Sequence, residues 1–224
     1  MARTFAMSTL VTRCKRRSDK EGESHISDPE WKALISEQYG ELAQIIVDGG
    51  GRYFETESTI AATGAASYTE PSDILHILEI TRVDGSYRRR LDELMLQERA
   101  GVMGLTGTAA FWEFSDDQII LYPKPSSGTY KCLYIPQPPD LSAYADGDLV
   151  DVACPAGERF LIWSVARTAK DKSESGYALC EREAEKAREG LQAWAATRAA
   201  LNPRQRVTSE IGDRRYDPDG WERW

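Results

Sequence analysis

Histidine, the side chain best suited to moving protons or holding metals near neutral pH, occurs only at His25 and His76 in this chain of 224 residues. His25 stands in a polar stretch ahead of a helix start and His76 among aliphatic residues. At either place a structural histidine is the better reading than a base or a ligand. Glu55 with Glu57, and Asp116 with Asp117, are spaced as carboxylate pairs from which a glycosidase could be built. Such a pair needs two unequal environments in one cleft, which spacing alone does not supply, so surface charge is the default for both. The run "DLSAYADGDLVD" holds four aspartates and no basic residue. It lacks the alternating ligand positions of an EF-hand loop and reads as a solvated acidic loop. GxSxG, HExxH and P-loop patterns are absent, and "DGGGR" has neither the spacing nor the lysine of a phosphate cradle. The residues therefore point to no catalytic site, no metal site and no cofactor.

Two basic patches remain, "RCKRR" from Arg13 to Arg17 and "RRR" from Arg88 to Arg90. The first has no aromatic interleaving and is followed by Asp19, Glu21 and Glu23; the second leaves a hairpin strand, where charge protects an edge. Subunit contact and phosphate contact fit both equally. The net charge of -8 argues against non-specific nucleic-acid binding by the whole chain, although an acidic protein can surround DNA without gripping it. Cys14, Cys132, Cys154 and Cys180 are far apart and form no CxxC pair, so they read as free, mostly buried thiols in a reducing cytosol. The first residues place their basic cluster after the apolar ones, the reverse of a secretory signal, and neither export nor a membrane span is read.

The elements that would position these residues fall into four parts. Residues 1–51 read as helices. The clearest runs through "SDPEWKALISEQYGELAQIIVDGGG", with Ser27 as N-cap, Glu30 as its capping-box partner and Pro29 in the first turn. Trp31, Leu34, Ile35, Leu42, Ile45 and Ile46 form its apolar stripe, and Gly49 is placed as a left-handed cap. A shorter helix is expected from Thr4 to Arg17, with Phe5, Leu10 and Val11 inward. Residues 52–151 change to a strand-like period, with Ile74, His76, Leu78 and Ile80 on one face, a hairpin at Asp84-Gly85, a short helix in "LDELMLQERAG", and further strands in "FWEFSDDQIILYPKP" and "GTYKCLYIPQPPDL". Residues 152–201 are helical again. There Tyr177, Cys180, Ala184, Ala187, Leu191 and Trp194 make a narrow, alanine-rich seam suited to packing inside a bundle or between subunits. The fold class expected is α+β: a helical bundle with an inserted antiparallel sheet or barrel.

Residues 202–224 are a different material. Pro203 stops the helical pattern, five arginines balance five acidic residues, and Tyr216, Trp221 and Trp224 have no apolar partner within the segment's own pattern. Burying those three rings contributes about 15 kcal/mol gross, at about 25 cal/mol per Å² and about 200 Å² each. Ordering the backbone from Tyr216 to Trp224 costs about 9 to 18 kcal/mol. A single arm is marginal, and main-chain hydrogen bonds, salt bridges from Arg214 and Arg215, and repetition around an assembly would make it firm.

The order of parts resembles the phage head-to-tail connector adaptors, the family that includes the podovirus tail tubular protein A and tail accessory factor types. The resemblance rests on "YGELAQII" within the capped helix, "YFETESTI", "PSDILHILEI" and "IILYPKPSSGTYKCLYIPQPPDL" before a helical last third, and covers about Ser27 to Leu201. It implies a structural protein and no enzyme: a ring, commonly of twelve copies, beneath the portal protein of the capsid. The downstream tail protein would meet its opposite face, and DNA would pass through the lumen without sequence-specific binding. It further implies a virion location at the head-tail interface, assembly in the bacterial host cytoplasm, no membrane partner, and a portal-binding arm carrying Arg214, Arg215, Tyr216, Trp221 and Trp224. An acidic wall suits such a conduit, because it repels phosphate. Another ring of the tail, a stopper or terminator, is the alternative, and a virion-associated wall-degrading hydrolase a more distant one.

Overall fold

The computed structural model describes residues 3–21, 25–50, 52–95, 97, 99–170, 174 and 176–200. Its elements in chain order are β1 (Thr4–Ala6), α1 (Met7–Arg17), α2 (Asp28–Asp48), β2 (Thr56–Ala62), β3 (Tyr68–Thr69), β4 (Ile74–Asp84), β5 (Tyr87–Arg90), β6 (Asp92–Glu93), α3 (Arg99–Val102), β7 (Phe111–Ser115), β8 (Gln118–Tyr122), β9 (Gly128–Pro136), β10 (Leu149–Asp151), α4 (Pro155–Ala169) and α5 (Tyr177–Ala200). The class is α+β. The chain divides into two compact units, one from Phe54 to Pro138 and one from the residues on either side of it.

The helical unit is built from α1, α2, α4 and α5, with β1 and β10 paired antiparallel, Phe5 opposite Val150. α2 starts on a complete capping box: the Ser27 N–H donates to the Glu30 carboxylate at 2.6 Å, and the Ser27 side chain takes the first-turn backbone N–H. Its buried stripe is Trp31, Ile35, Tyr39, Leu42, Ile45 and Ile46, with Leu34 half-buried. Gly49 keeps φ at -70°, and the left-handed position belongs to Gly50 at φ 74°. The expected helix from Thr4 begins three residues later. Phe5 is spent in a strand because β10 is there to pair with it, and Met7, Leu10, Val11 and Cys14 form the buried side of α1. Residues 139–151, which the strand-like period joined to the insert, lie in this unit.

The seam on α5 is turned into the chain's own bundle. Cys180, Ala184, Ala187, Leu191 and Ala195 are buried and Tyr177 and Trp194 half-buried, with α5 packed chiefly on α4. Small side chains let the two helices approach closely, so Ala184→Leu or Ala187→Leu is expected to lower stability by about 1 to 3 kcal/mol per site through overpacking. Denaturant unfolding of the free protein reads this directly, and unchanged midpoints would show that the seam has room to spare.

The β unit holds two four-stranded sheets, in the orders β2-β9-β4-β5 and β3-β8-β7-β6, around one core that includes Ile60, Ile80, Trp112, Ile119, Leu121, Tyr130, Cys132 and Tyr134. β9 is central and pairs on both sides, with Tyr130, Cys132 and Tyr134 inward. No barrel closes among the described residues. The first sheet curls enough for Arg88 of one edge strand to donate to Glu57 of the other at 2.6 Å, yet no ladder joins those strands. β4 departs from strict alternation: register shifts between Ile74 and His76 and again between Ile77 and Glu79 bring Ile74, Ile77 and Ile80 to the core and leave His76 exposed. "LDELMLQERAG" gives the short strand β6 and the single turn α3 where a helix was expected.

Candidate functional site

The groups from which chemistry was sought do not converge. His25 and His76 are both exposed, one on each unit. Asp116 and Asp117 are the two turn residues between β7 and β8, at φ 51° and 59°, a conformation aspartate tolerates better than most residues. Glu57 accepts hydrogen bonds from Lys131 at 2.9 Å and Arg88 at 2.6 Å, and the Lys131 bond first, then Arg88, hold its carboxyl below the usual range. The acidic run is structured throughout. Asp140 accepts from the Ser142 N–H and the Ser36 hydroxyl, Asp148 from the Ala145 N–H, and Asp151 from the Tyr53 hydroxyl and the Ala153 N–H; Asp146 pairs with Lys32 at 2.8 Å. Its carboxylates serve as turn and loop caps, a use the bare spacing does not reveal.

What the helical unit does assemble is a groove of about 710 Å³ between α1, α4 and α5. Arg13, Arg16 and Arg17 fall at i, i+3 and i+4 on α1, so one helix face presents all three, and they sit in the last turns, where cations complement the helix dipole. α4 answers with Glu158, Arg159, Ile162 and Trp163 at the same spacings. Glu158, with its side chain only 12% exposed, is the anchor: Arg3 donates through Nε at 2.7 Å, and Arg13 donates to its other oxygen. Both guanidinium groups also rest on the Phe5 ring, 5.4 and 4.5 Å from its centre. Arg17 lies over Trp163 at 5.1 Å, and Arg159 meets Glu183 of α5 at 3.5 Å. The groove is lined by four guanidinium groups, two carboxylates and the Trp163 ring, with Arg16 also paired to Glu21 at 2.6 Å, so its charge is basic in balance though largely paired within the chain. The patch "RCKRR" pointed to it; Arg3, Glu158, Arg159 and Trp163 were missed, though Arg159 and Trp163 carry the i, i+4 signal.

At the other end of α5, Trp194 meets Tyr53 edge-on at 5.7 Å, and Arg198 lies 5.1 and 5.3 Å from the two ring centres. The Tyr53 phenol is pushed up, by burial first and then by its hydrogen bond to Asp151. In the β unit, Met103, Leu105 and Phe114 are exposed, and Leu105 also lines an apolar pocket of about 310 Å³ with Ile120 and Tyr122. Among the described residues no group of three metal-ligating side chains comes together.

A sequence profile described as SU10 adaptor protein matches residues 6–216, spanning both units and running beyond α5. The chain belongs to the SU10 adaptor protein family. It is thus a phage adaptor, a structural component of the virion that meets other head and tail proteins. No curated protein matches it. The match ends at Tyr216, so Arg214, Arg215 and Tyr216 fall within the family region of the adaptor, whereas Trp221 and Trp224 follow it. All five of those arm residues lie outside the described residues. Among the described helices of the adaptor none is long and apolar enough to cross a membrane.

Proposed function

We propose that this adaptor forms a ring of about twelve copies beneath the portal protein of the capsid, joins the portal to the downstream tail protein, and leaves a channel through which DNA passes without sequence-specific contact. The observation that carries this reading is the adaptor-family match along nearly the whole chain. The net charge of -8 favours a wall along which phosphate slides. The protein is assembled in the host cytoplasm, ends at the head-tail interface and catalyses no reaction. The helical unit acts as the bundle, Phe54–Pro138 as its insert, and residues 202–224 as the portal-binding arm, with Arg214, Arg215, Tyr216, Trp221 and Trp224 as its contacts.

Electron microscopy of the purified protein mixed with its portal tests this directly. Closed rings seated coaxially on the portal are expected. Deleting residues 212–224 is expected to leave the circular-dichroism melt unchanged and to remove the rings from the portal. Truncated protein that still fills portals at the wild-type concentration assigns the arm elsewhere, and wild-type protein that never binds portal ends the reading.

A further inference from the structure

We infer that the arginine groove of one copy receives the acidic loop around Asp146 of the next copy, so that the contact between neighbours is head-to-tail along the direction of α1. The inference rests on the multi-copy assembly proposed above. Both surfaces lie on the helical unit, at opposite ends of a single helix. At the α1 N-terminus the Met7 and Ser8 N–H groups donate to the Asp148 and Asp146 carbonyls at 2.9 and 3.1 Å, and at its C-terminus Arg13, Arg16 and Arg17 enter the groove.

The loop has the properties of a preformed plug. The Asp148 N–H donates to the Ala145 carbonyl, and the Asp148 carboxylate accepts from the Ala145 N–H at 2.7 Å, so little order remains to be imposed on binding. The Asp146 side chain stays 77% exposed despite its bond to Lys32. Beside them Leu149 is 65% exposed. The groove supplies the complement: Arg17, stacked on the Trp163 ring, and Arg16, which shares its charge with Glu21 at 2.6 Å, for the carboxylates, with the half-buried Trp163 ring for the leucine. The chain as a whole is acidic, so copies repel one another except where a basic surface meets an acidic one, and this pair of surfaces supplies such a meeting. Two different patches on one chain make a heterologous contact, the kind that closes into rings or extends into filaments and does not stop at a dimer.

Two full-length variants test it. Arg16→Glu with Arg17→Glu reverses the groove; Asp146→Lys with Leu149→Lys reverses the loop and spares the Asp148 cap. Sedimentation velocity over a concentration series is expected to show wild-type association that weakens with salt, and association weakened about tenfold or more in each variant. An equimolar mixture of the two is expected to associate more strongly than either variant alone, because the unchanged loop of one meets the unchanged groove of the other and the two reversed surfaces are again opposite in charge. Wild type that stays monomeric throughout, variants that associate like wild type, or a mixture no better than its components would each overturn the inference. So would a groove variant that loses binding to a short DNA duplex while its self-association is unchanged. Particles that carry the groove variant at full copy number would remove this contact and leave the adaptor role standing. Particles that lack even the wild-type protein would remove the role itself.

Discussion

Gly157→Ala is expected to destabilise the helical unit by about 3 kcal/mol or more, toward the upper end of what a single methyl group does in a packed protein. A Cβ at Gly157 would lie 2.2 Å from the carbonyl oxygen of Val152 and 3.4 Å from Leu42 Cδ1. The oxygen cannot step aside cheaply. It already accepts the Cys154 N–H at 2.6 Å, the Val152 N–H is tied to the Arg3 carbonyl at 2.9 Å, and Ala153 between them is held at φ 62°. Relief would break the link from β10 into α4 and loosen the start of the helix that carries Glu158 and Trp163. The sign is informative, because glycine to alanine inside a helix ordinarily gains up to about 1 kcal/mol. Gly40 in α2 is the control: a Cβ there meets nothing within 4 Å, so Gly40→Ala is expected to raise stability. Urea unfolding of the two variants, one shifted down and one up, checks the pair. Equal shifts would mean that the α4 start is softer than its hydrogen bonds imply.

The second large effect lies in the arm. Changing Trp221 and Trp224 together to alanine is expected to weaken attachment to the portal by about 4 kcal/mol or more per arm, taking about 2 kcal/mol or more for each buried indole. That is about a thousandfold for a single arm, and several arms acting together on one ring amplify it. The fold is expected to be untouched, since the two indoles follow the end of the adaptor-family match. The measurement is the adaptor concentration that half-saturates immobilised portal, read beside a melting curve. An unchanged concentration would show that the indoles are not the anchors and would leave Arg214, Arg215 and Tyr216 to be tested in turn.

Local chemistry was legible in the sequence wherever the cause is local. The Ser27–Glu30 capping box and the hairpin signalled at Asp84-Gly85 depend on neighbouring residues, and both stand in the structure, the hairpin with Gly85 and Ser86 as its turn residues. Phe5 was misread as helical because its strand partner Val150 is far along the chain, and no local period announces such a pairing. The slips along β4 have the same origin: neighbouring strands decide where a bulge goes. The groove was half legible. The spacing of Arg13, Arg16 and Arg17 is a helical signal, whereas their meeting with Glu158 and Trp163 needs the packing of α1 on α4. The clash that forbids alanine at Gly157 is likewise visible only once the Val152 carbonyl has a place.

The division of the chain also sets an order in time. The β unit is one uninterrupted stretch, Phe54 to Pro138, whereas the helical unit is assembled from the residues before and after it. A ribosome therefore delivers everything the β unit needs before α4 and α5 exist. Until they emerge, Trp31, Ile35, Leu42 and Ile46 on α2 have been made without the helices that cover them, and β1 waits for β10. Folding the β unit first shortens the gap that the helical unit must later close, which lowers the entropy of bringing its two halves together. A chain ending at Pro138 holds every residue of the β unit together with two helices whose apolar stripes lack α4 and α5, the kind of partly covered species that is prone to aggregate.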